Sequence, residues 1–265
     1  MSEEQLPAES EVPAGPMRVV VIGDENLPLT QATAGAFNVP IGAEVSIMPL
    51  SDIDAIVETQ PGLVFFTDEI RIKKNATFDD NDFLGALQKL LKMTDTGICI
   101  RSTLNIETTE RIIMAMSKPA FDAKVVIMPE TTGSNDIATL INPPVQYLGG
   151  TQEAVKALMG ILTNLSHFSA ADVKTGSAFD VVYANLAVSG FRVVKQKYFD
   201  ELYTGVMDLK NANPMIVRRL VEFHPALVDA SLTIPSFVTD KSVHDATVFN
   251  GATDSLTVLN AALGE

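Results

Sequence analysis

The sequence predicts an α/β protein, a mostly parallel sheet covered on both faces and followed by one long helix. Three observations carry this. Short apolar runs at 19–22, 62–66 and 98–100 are continuous rather than alternating, as strands buried on both faces are. They alternate with stretches at helical spacing, such as Phe83, Leu84, Leu87, Leu90 and Leu91. Residues 178–209 then lack proline and are rich in apolar and long side chains. They suit one helix of about 30 residues, about 45 Å at 1.5 Å per residue.

Taken in order, residues 1–16 are rich in Glu and Pro without apolar periodicity and predict a disordered tail. Residues 19–22 form a strand ending at Gly23, and the Ala/Thr-rich segment 28–37 a first helix. A strand at 44–48 stops at Pro49, and a short helix at 53–59 leads to the strand at 62–66. After the helix at 83–93 and the strand at 98–100 come a helix at 108–116 and a strand at 124–128, ended by Pro129. A strand at 145–148 and an amphipathic helix at 151–164 complete the set. Such alternation over 17–165 is Rossmann-like. A helical domain at 166–235 follows, with Pro214 opening a shorter helix to 222. Residues 236–265 read as a C-terminal arm.

The chain of 265 residues is 46% hydrophobic with 13 Phe, enough to bury a real core. Its net charge of −14 argues against a nucleic-acid or anionic-membrane partner, while leaving room for a local cationic pocket. A single cysteine, Cys99, lies in an apolar strand, so no disulfide framework exists, as expected of a cytoplasmic protein. No apolar run approaches the ~18 residues of a membrane span, and the acidic N-terminus is not a signal peptide. His167, His224 and His244 are scattered, which argues against a metal site.

Chemistry concentrates at strand ends. The 98–100 strand runs into Arg101, Ser102 and Thr103, then Thr108 and Thr109 before a helix. Open α/β sheets bind ligands at such ends, although strand-end polarity plus a helix cap explains the same residues. Glu130 follows Pro129 at the end of its strand, where a carboxylate can orient water or a hydroxyl as a general base. The first strand leads into Gly23-Asp24-Glu25-Asn26-Leu27-Pro28. A dinucleotide site wants Gly-x-Gly-x-x-Gly there, so that backbone can approach a pyrophosphate. Only Gly23 matches, and Glu25 places a carboxylate where phosphate would sit, so a plain βα turn is the preferred reading of this segment. Thr67 is a strand-end hydroxyl, and Ser51 or Asp52 reads as a helix cap.

Residues 101–109, Arg-Ser-Thr-Leu-Asn-Ile-Glu-Thr-Thr, resemble the Lys-Ser-Thr-Val-x-x-Gly-Thr-Thr strand end of the UDP-glucose/GDP-mannose dehydrogenase family. Pro129-Glu130 resembles that family's Pro-Glu segment, and 189–202 resembles its central helix, Asn-Ala-Phe-Leu-Ala-x-Lys-x-x-Phe-x-Asn-Glu-Ile. The resemblance spans about 17–240 and implies a truncated, catalytically degenerate relative. It implies NAD as cofactor, held near Gly23, Thr67, Ser102 and Thr103. It implies a nucleotide-sugar substrate near Arg101, Asn185 and Ser189, the last two standing where the family has Lys and Asn, and Glu130 as the catalytic group. It also implies a homodimer on the long helix, to which Val181, Val182, Leu186, Val193, Val194, Tyr198 and Leu202 contribute apolar surface. The family's nucleophile lies in Gly-Gly-x-Cys-Phe-x-Lys-Asp; here 233–241 read Thr-Ile-Pro-Ser-Phe-Val-Thr-Asp-Lys, with no thiol. Two functions follow: a nucleotide-sugar (UDP-glucose 6-dehydrogenase-like) dehydrogenase homologue lacking the full thioester-dependent oxidation, or a non-catalytic binding or assembly protein on the same fold.

Overall fold

The computed structural model describes residues 16–37, 42–68, 70–72, 78–116 and 124–207, with Asn213 and Ile216. The expectations for the tail before Pro16, the helix at 214–222, the segment 233–241 and the arm at 236–265 lie outside the described residues, Ile216 excepted.

Seven strands make one sheet: β1 (Met17–Ile22), β2 (Ala43–Met48), β3 (Leu63–Phe66), β6 (Gly97–Ile100), β7 (Val125–Ile127), β8 (Val145–Gly149) and β9 (Asp172–Gly176). Their spatial order is β2-β1-β3-β6-β7-β8-β9. A two-stranded hairpin of β4 (Arg71–Ile72) and β5 (Phe78–Asp79) stands apart. The helices are α1 (Pro28–Ala36), α2 (Ile53–Glu58), α3 (Asn81–Leu90), α4 (Ile106–Met116), α5 (Ile137–Ile141), α6 (Gln152–Leu165) and α7 (Ala178–Met207).

Strand residues alternate between two cores, one on each face of the sheet. Val20, Ile22, Val64, Phe66, Ile98 and Ile100 pack with Leu87 of α3, Ile112 of α4 and Val181, Val182 and Leu186 of α7. Val19, Val21, Phe65 and Cys99 pack with Phe37 and with Val155, Leu158 and Leu162 of α6. Burial on both faces is why the sequence shows continuous apolar runs. β1, β2, β3, β6 and β7 are parallel; β7 and β8 are antiparallel, with Ile127 opposite Gly149, and β8 and β9 are parallel again. The strand order changes direction between β1 and β3, so the ligand crevice of this topology lies beyond their C-terminal ends.

β9 extends the sheet past the expected edge of the strand region at 165. Its pattern Asp172-Val173-Lys174-Thr175-Gly176 offers one apolar residue, because it is a half-exposed edge strand with charges on it. The antiparallel return of β8 was also not foreseen. The chain after β7 forms a loop and the five-residue α5, which packs against α1 instead of serving as a crossover on the sheet.

α7 is a continuous 30-residue helix, as the proline-free run requires. It starts at a capping box: the Asp180 backbone N–H donates to Ser177 Oγ at 3.1 Å, and the Ser177 N–H returns to Asp180 Oδ2 at 3.0 Å. Its first turns lie against β8 at Gly149. A Cβ there would come within 2.9 Å of Val181 Cβ and 3.0 Å of the Ala178 Cα. Gly149→Ala is therefore expected to lower stability by about 1–3 kcal/mol, since backbone rather than a flexible side chain must give way. Chemical denaturation should show a lower midpoint at unchanged slope; an unchanged midpoint would mean α7 packs elsewhere.

Candidate functional site

The turn after β1 is filled from within. A Cβ on Gly23 would sit 2.3 Å from Thr67 Oγ1 and 2.6 Å from Thr30 Oγ1. Those two hydroxyls bond each other at 2.8 Å, and Thr67 Oγ1 also donates to the Ile22 carbonyl at 3.1 Å. Gly23 thus makes room for the buried threonine pair. Asp24 accepts from the Asn26 N–H and Nδ2, both at 2.9 Å, which holds its carboxyl below the ordinary value; its own N–H donates to Asp68 Oδ1 at 3.0 Å. α1 opens on Pro28, without an N–H, after Leu27, which gives no side-chain cap. A helix start faced by the carboxylates of Asp24 and Asp68 and short of one donor does not fit a dinucleotide pyrophosphate in the usual pose.

At the end of β6, the N–H groups of Arg101 and Ser102 both donate to the Phe66 carbonyl, at 2.8 and 3.0 Å. Arg101 is 3% exposed. Its Nη1 donates to Thr33 Oγ1 at 2.8 Å and its Nη2 to the Leu140 carbonyl at 3.4 Å, and its guanidinium lies 5.8 Å from the centre of the Phe168 ring. Burial lowers its pKa, while Cys99 and Glu130 oppose the shift. Thr103 is half-buried beside it. Thr108 and Thr109 instead serve α4. The Thr108 N–H donates to Asn105 Oδ1 at 2.7 Å, its hydroxyl to Asp80 at 2.6 Å, and the Thr109 hydroxyl to the Asn105 carbonyl at 2.6 Å. Asn105 is the cap, and Asp80 also pairs with Arg111.

Glu130 lies in a loop held from several directions. Its carboxylate accepts from the Thr132 N–H and hydroxyl and, at 2.8 Å, from the Gly133 N–H. Gly133 has φ +66°, the left-handed region that favours glycine. Gln146 Nε2 donates to the Pro129 carbonyl at 2.9 Å, and the Thr131 hydroxyl donates to the Val145 carbonyl. From α7, Arg192 Nη2 donates to the Thr131 carbonyl. Arg192 is 1% exposed; burial lowers its pKa, with Glu130 and then Tyr147 opposing. Asn185 and Ser189 lie on the same helix, two turns and one turn before it, and Asn185 Oδ1 is buried without a partner.

The structure therefore joins the Glu130 loop to α7 through Arg192, and sends Arg101 instead to Thr33 of α1, one turn from the Thr30–Thr67 pair beside Gly23. Arg192 is the residue that sequence reasoning missed. Its only signal was a cation inside the run Phe191-Arg192-Val193-Val194. Among the described residues, no group of three or more His, Cys, Asp or Glu could hold a metal ion.

No family model matches the sequence, and no curated relative does. Solved structures do match. A UDP-glucose dehydrogenase from Pyrobaculum islandicum aligns at TM-score 0.60 and 13% identity over 82% of this chain and 60% of that one. A GDP-mannose dehydrogenase from Pseudomonas aeruginosa aligns at 0.61 and 13%, over 77% and 56%. A UDP-D-ManNAc dehydrogenase from Pyrococcus horikoshii aligns at 0.65 and 14%, over 93% and 67%. The fold is that of the nucleotide-sugar dehydrogenases. At such identities the likeness is one of fold, and the chain spans 60% or less of the first two structures' length.

Cys99 is fully buried, with its Sγ 3.7 Å from Met128 Sδ, and loss of hydration pushes its thiol from 9.0 up to about 12 against the opposing pull of Arg101. It is not a nucleophile. The native protein should resist thiol reagents at pH 8 and be labelled once denatured. The folded thiol keeps its proton above pH 9 while the unfolded one loses it. This group's contribution to stability should therefore fall by about 1 kcal/mol per pH unit between about pH 9 and 12. Cys99→Ala should flatten that part of the alkaline stability profile.

Proposed function

We propose that the chain is a nucleotide-sugar dehydrogenase homologue, UDP-glucose 6-dehydrogenase-like, that binds a nucleotide sugar without the thioester-dependent oxidation. The observation that carries this is the Glu130 loop, held by Arg192 at the C-terminal edge of a sheet with the dehydrogenase fold. Arg101, Asn185 and Ser189 are the substrate-side groups and Glu130 the retained carboxylate. Oxidation of an alcohol to an acid through a covalent thioester needs a thiolate, and the only cysteine is buried in β6. NAD is not assigned a role, because the turn after β1 does not suit its pyrophosphate. Gly23, Thr67, Ser102 and Thr103 remain the positions the resemblance offers to it.

The alternative is a non-catalytic assembly module on the same fold. What favours it is the Thr30–Thr67 pair closing the first turn. What speaks for a ligand is a set of buried polar atoms without partners at Arg101, Ser102, Asn185 and Arg192. Isothermal titration separates the two: UDP-glucose or GDP-mannose should bind with release or uptake of heat, and silence with both would favour the assembly module. With UDP-glucose and NAD together, NADH absorbance should stay at the blank. Turnover that survives Glu130→Gln would place the chemistry elsewhere.

We further place the protein in the cytoplasm, on its lone buried thiol, and as a homodimer on α7. The dimer face differs from the one first expected. Val181, Val182 and Leu186 are buried against the sheet, while Tyr183 and Phe191 are each 49% exposed. Light scattering at micromolar concentration should give twice the mass of 28.5 kDa, and Phe191→Glu should shift it toward the monomer.

A further inference from the structure

We propose that the open edge of β2 is a self-association face, on which a second copy of this chain lays its own β2 antiparallel and joins the two sheets into one. The inference is independent of the nucleotide-sugar reading and of α7, which starts at the far end of the sheet against β8. In the classic dinucleotide-binding order, 3-2-1-4-5-6, a third strand lies outside the second. Here the chain passes from β2 through α2 to β3 on the other side of β1, so β2 is an edge. The Met17 N–H donates to the Gly42 carbonyl at 2.7 Å and the Gly23 N–H to the Met48 carbonyl at 3.1 Å, at the two ends of the parallel pair. The N–H and C=O of a strand residue point to one side and those of the next residue to the other. Glu44, Ser46 and Met48 therefore serve β1, while Ala43, Val45 and Ile47 turn their backbone groups outward. None of the six residues of β2 is buried, and Ile47 is 37% exposed. The other edge is guarded: β9 carries Asp172 and Lys174, paired at 2.8 Å, the kind of charge that deters edge pairing. β2 has no lysine and no proline, and its one charge, Glu44, is met by Arg18 of β1 at 3.8 Å.

The strand's own sequence selects the occupant, because it is complementary to itself in one register. Antiparallel pairing about a two-fold axis keeps the strands overlapped when the axis passes Glu44, Val45 or Ser46. An axis at Glu44 sets the two Glu44 carboxylates directly opposite each other, which destabilises the pair. An axis at Ser46 brings Ala43 against Pro49, which has no N–H to give. An axis at Val45 uses every outward residue. Val45 then meets the second copy's Val45, and Ala43 meets the second copy's Ile47, small against large. Glu44 lies opposite the second copy's Ser46, so no like charges face each other. Ala43 and Val45, which pack partly on the core under α1 and α6, continue with Ile47 into one apolar row across the junction. Such a contact is isologous: each copy covers the other's edge, and the pairing does not propagate by itself.

The test uses the full chain carrying Phe191→Glu, so that association through α7 does not contribute. Sedimentation velocity over a concentration series should show monomer giving way to dimer. Amide exchange followed residue by residue by NMR should slow by about tenfold at Val45 and Ile47 as the dimer forms. It should not change at Glu44, Ser46 and Met48, whose N–H groups already face β1. Ile47→Lys should abolish both the dimer and the added protection while leaving the fold intact, since that side chain is exposed. Val45→Pro removes an outward donor but no bond to β1 and should do the same; if it does not fold, Ile47→Lys carries the test alone. Fast exchange at Val45 and Ile47 at every concentration would overturn the inference. So would slow exchange at every concentration, which would put another part of the same chain on the edge. A dimer that survives Ile47→Lys with Val45 still unprotected would overturn it too, by placing the contact elsewhere.

Discussion

The hydrogen bond from Arg192 to the Thr131 carbonyl joins the two halves of the structure. The first turns of the long helix are held by apolar packing, Val181, Val182 and Leu186 against the sheet and Ile112 of α4, with Gly149 allowing the close approach. The bond reaches the residue after Glu130 and so ties the helix to the carboxylate loop. Gln146 and Thr131 close the same loop from β8, which is possible because β8 returns antiparallel beside the end of β7. A parallel β8 would run the other way and bring different residues alongside 129–131.

The same economy of polar groups explains the other end of the crevice. Where a dinucleotide would need bare backbone N–H groups, Thr30 and Thr67 bond each other over Gly23. Buried hydroxyls must find partners, and here they find them inside the protein. Thr108 and Thr109 do likewise through Asn105 and Asp80. Against this background the buried atoms without partners, on Arg101, Ser102, Gln146, Asn185 and Arg192, are the exceptions among the described residues.

Buried strands were legible in the sequence because both of their faces are apolar, and the long helix because nothing in 178–207 interrupts it. The edge strand β9 was not, since Asp172, Lys174 and Thr175 are exposed and carry no periodic signal. At the site, Arg101, Ser102 and Glu130 were legible as polar groups at strand ends. Arg192 was not. A single arginine in an apolar helix reads the same whether its head reaches water or a buried carbonyl, and only the tertiary placement of α7 separates the two. The hydroxyls of Thr108 and Thr109 misled for the opposite reason: they sit beside a ligand edge in sequence but face their own helix cap.

Fold and chemistry part company in this molecule at specific atoms. Sheet order, the two cores and the long helix reproduce a dehydrogenase scaffold, and a scaffold of this kind fixes where a ligand lies, beyond the strand ends, without fixing what happens to it. What happens depends on the groups presented there. A thiolate, a free carboxylate base and an open phosphate cradle for a dinucleotide that accepts hydride would together suit a dehydrogenase of alcohols. Instead the thiol is sealed in β6, the carboxylate is engaged by Thr132 and Gly133, and threonines close the cradle. Each of these groups is engaged inside the protein, and the scaffold by itself does not fix a reaction.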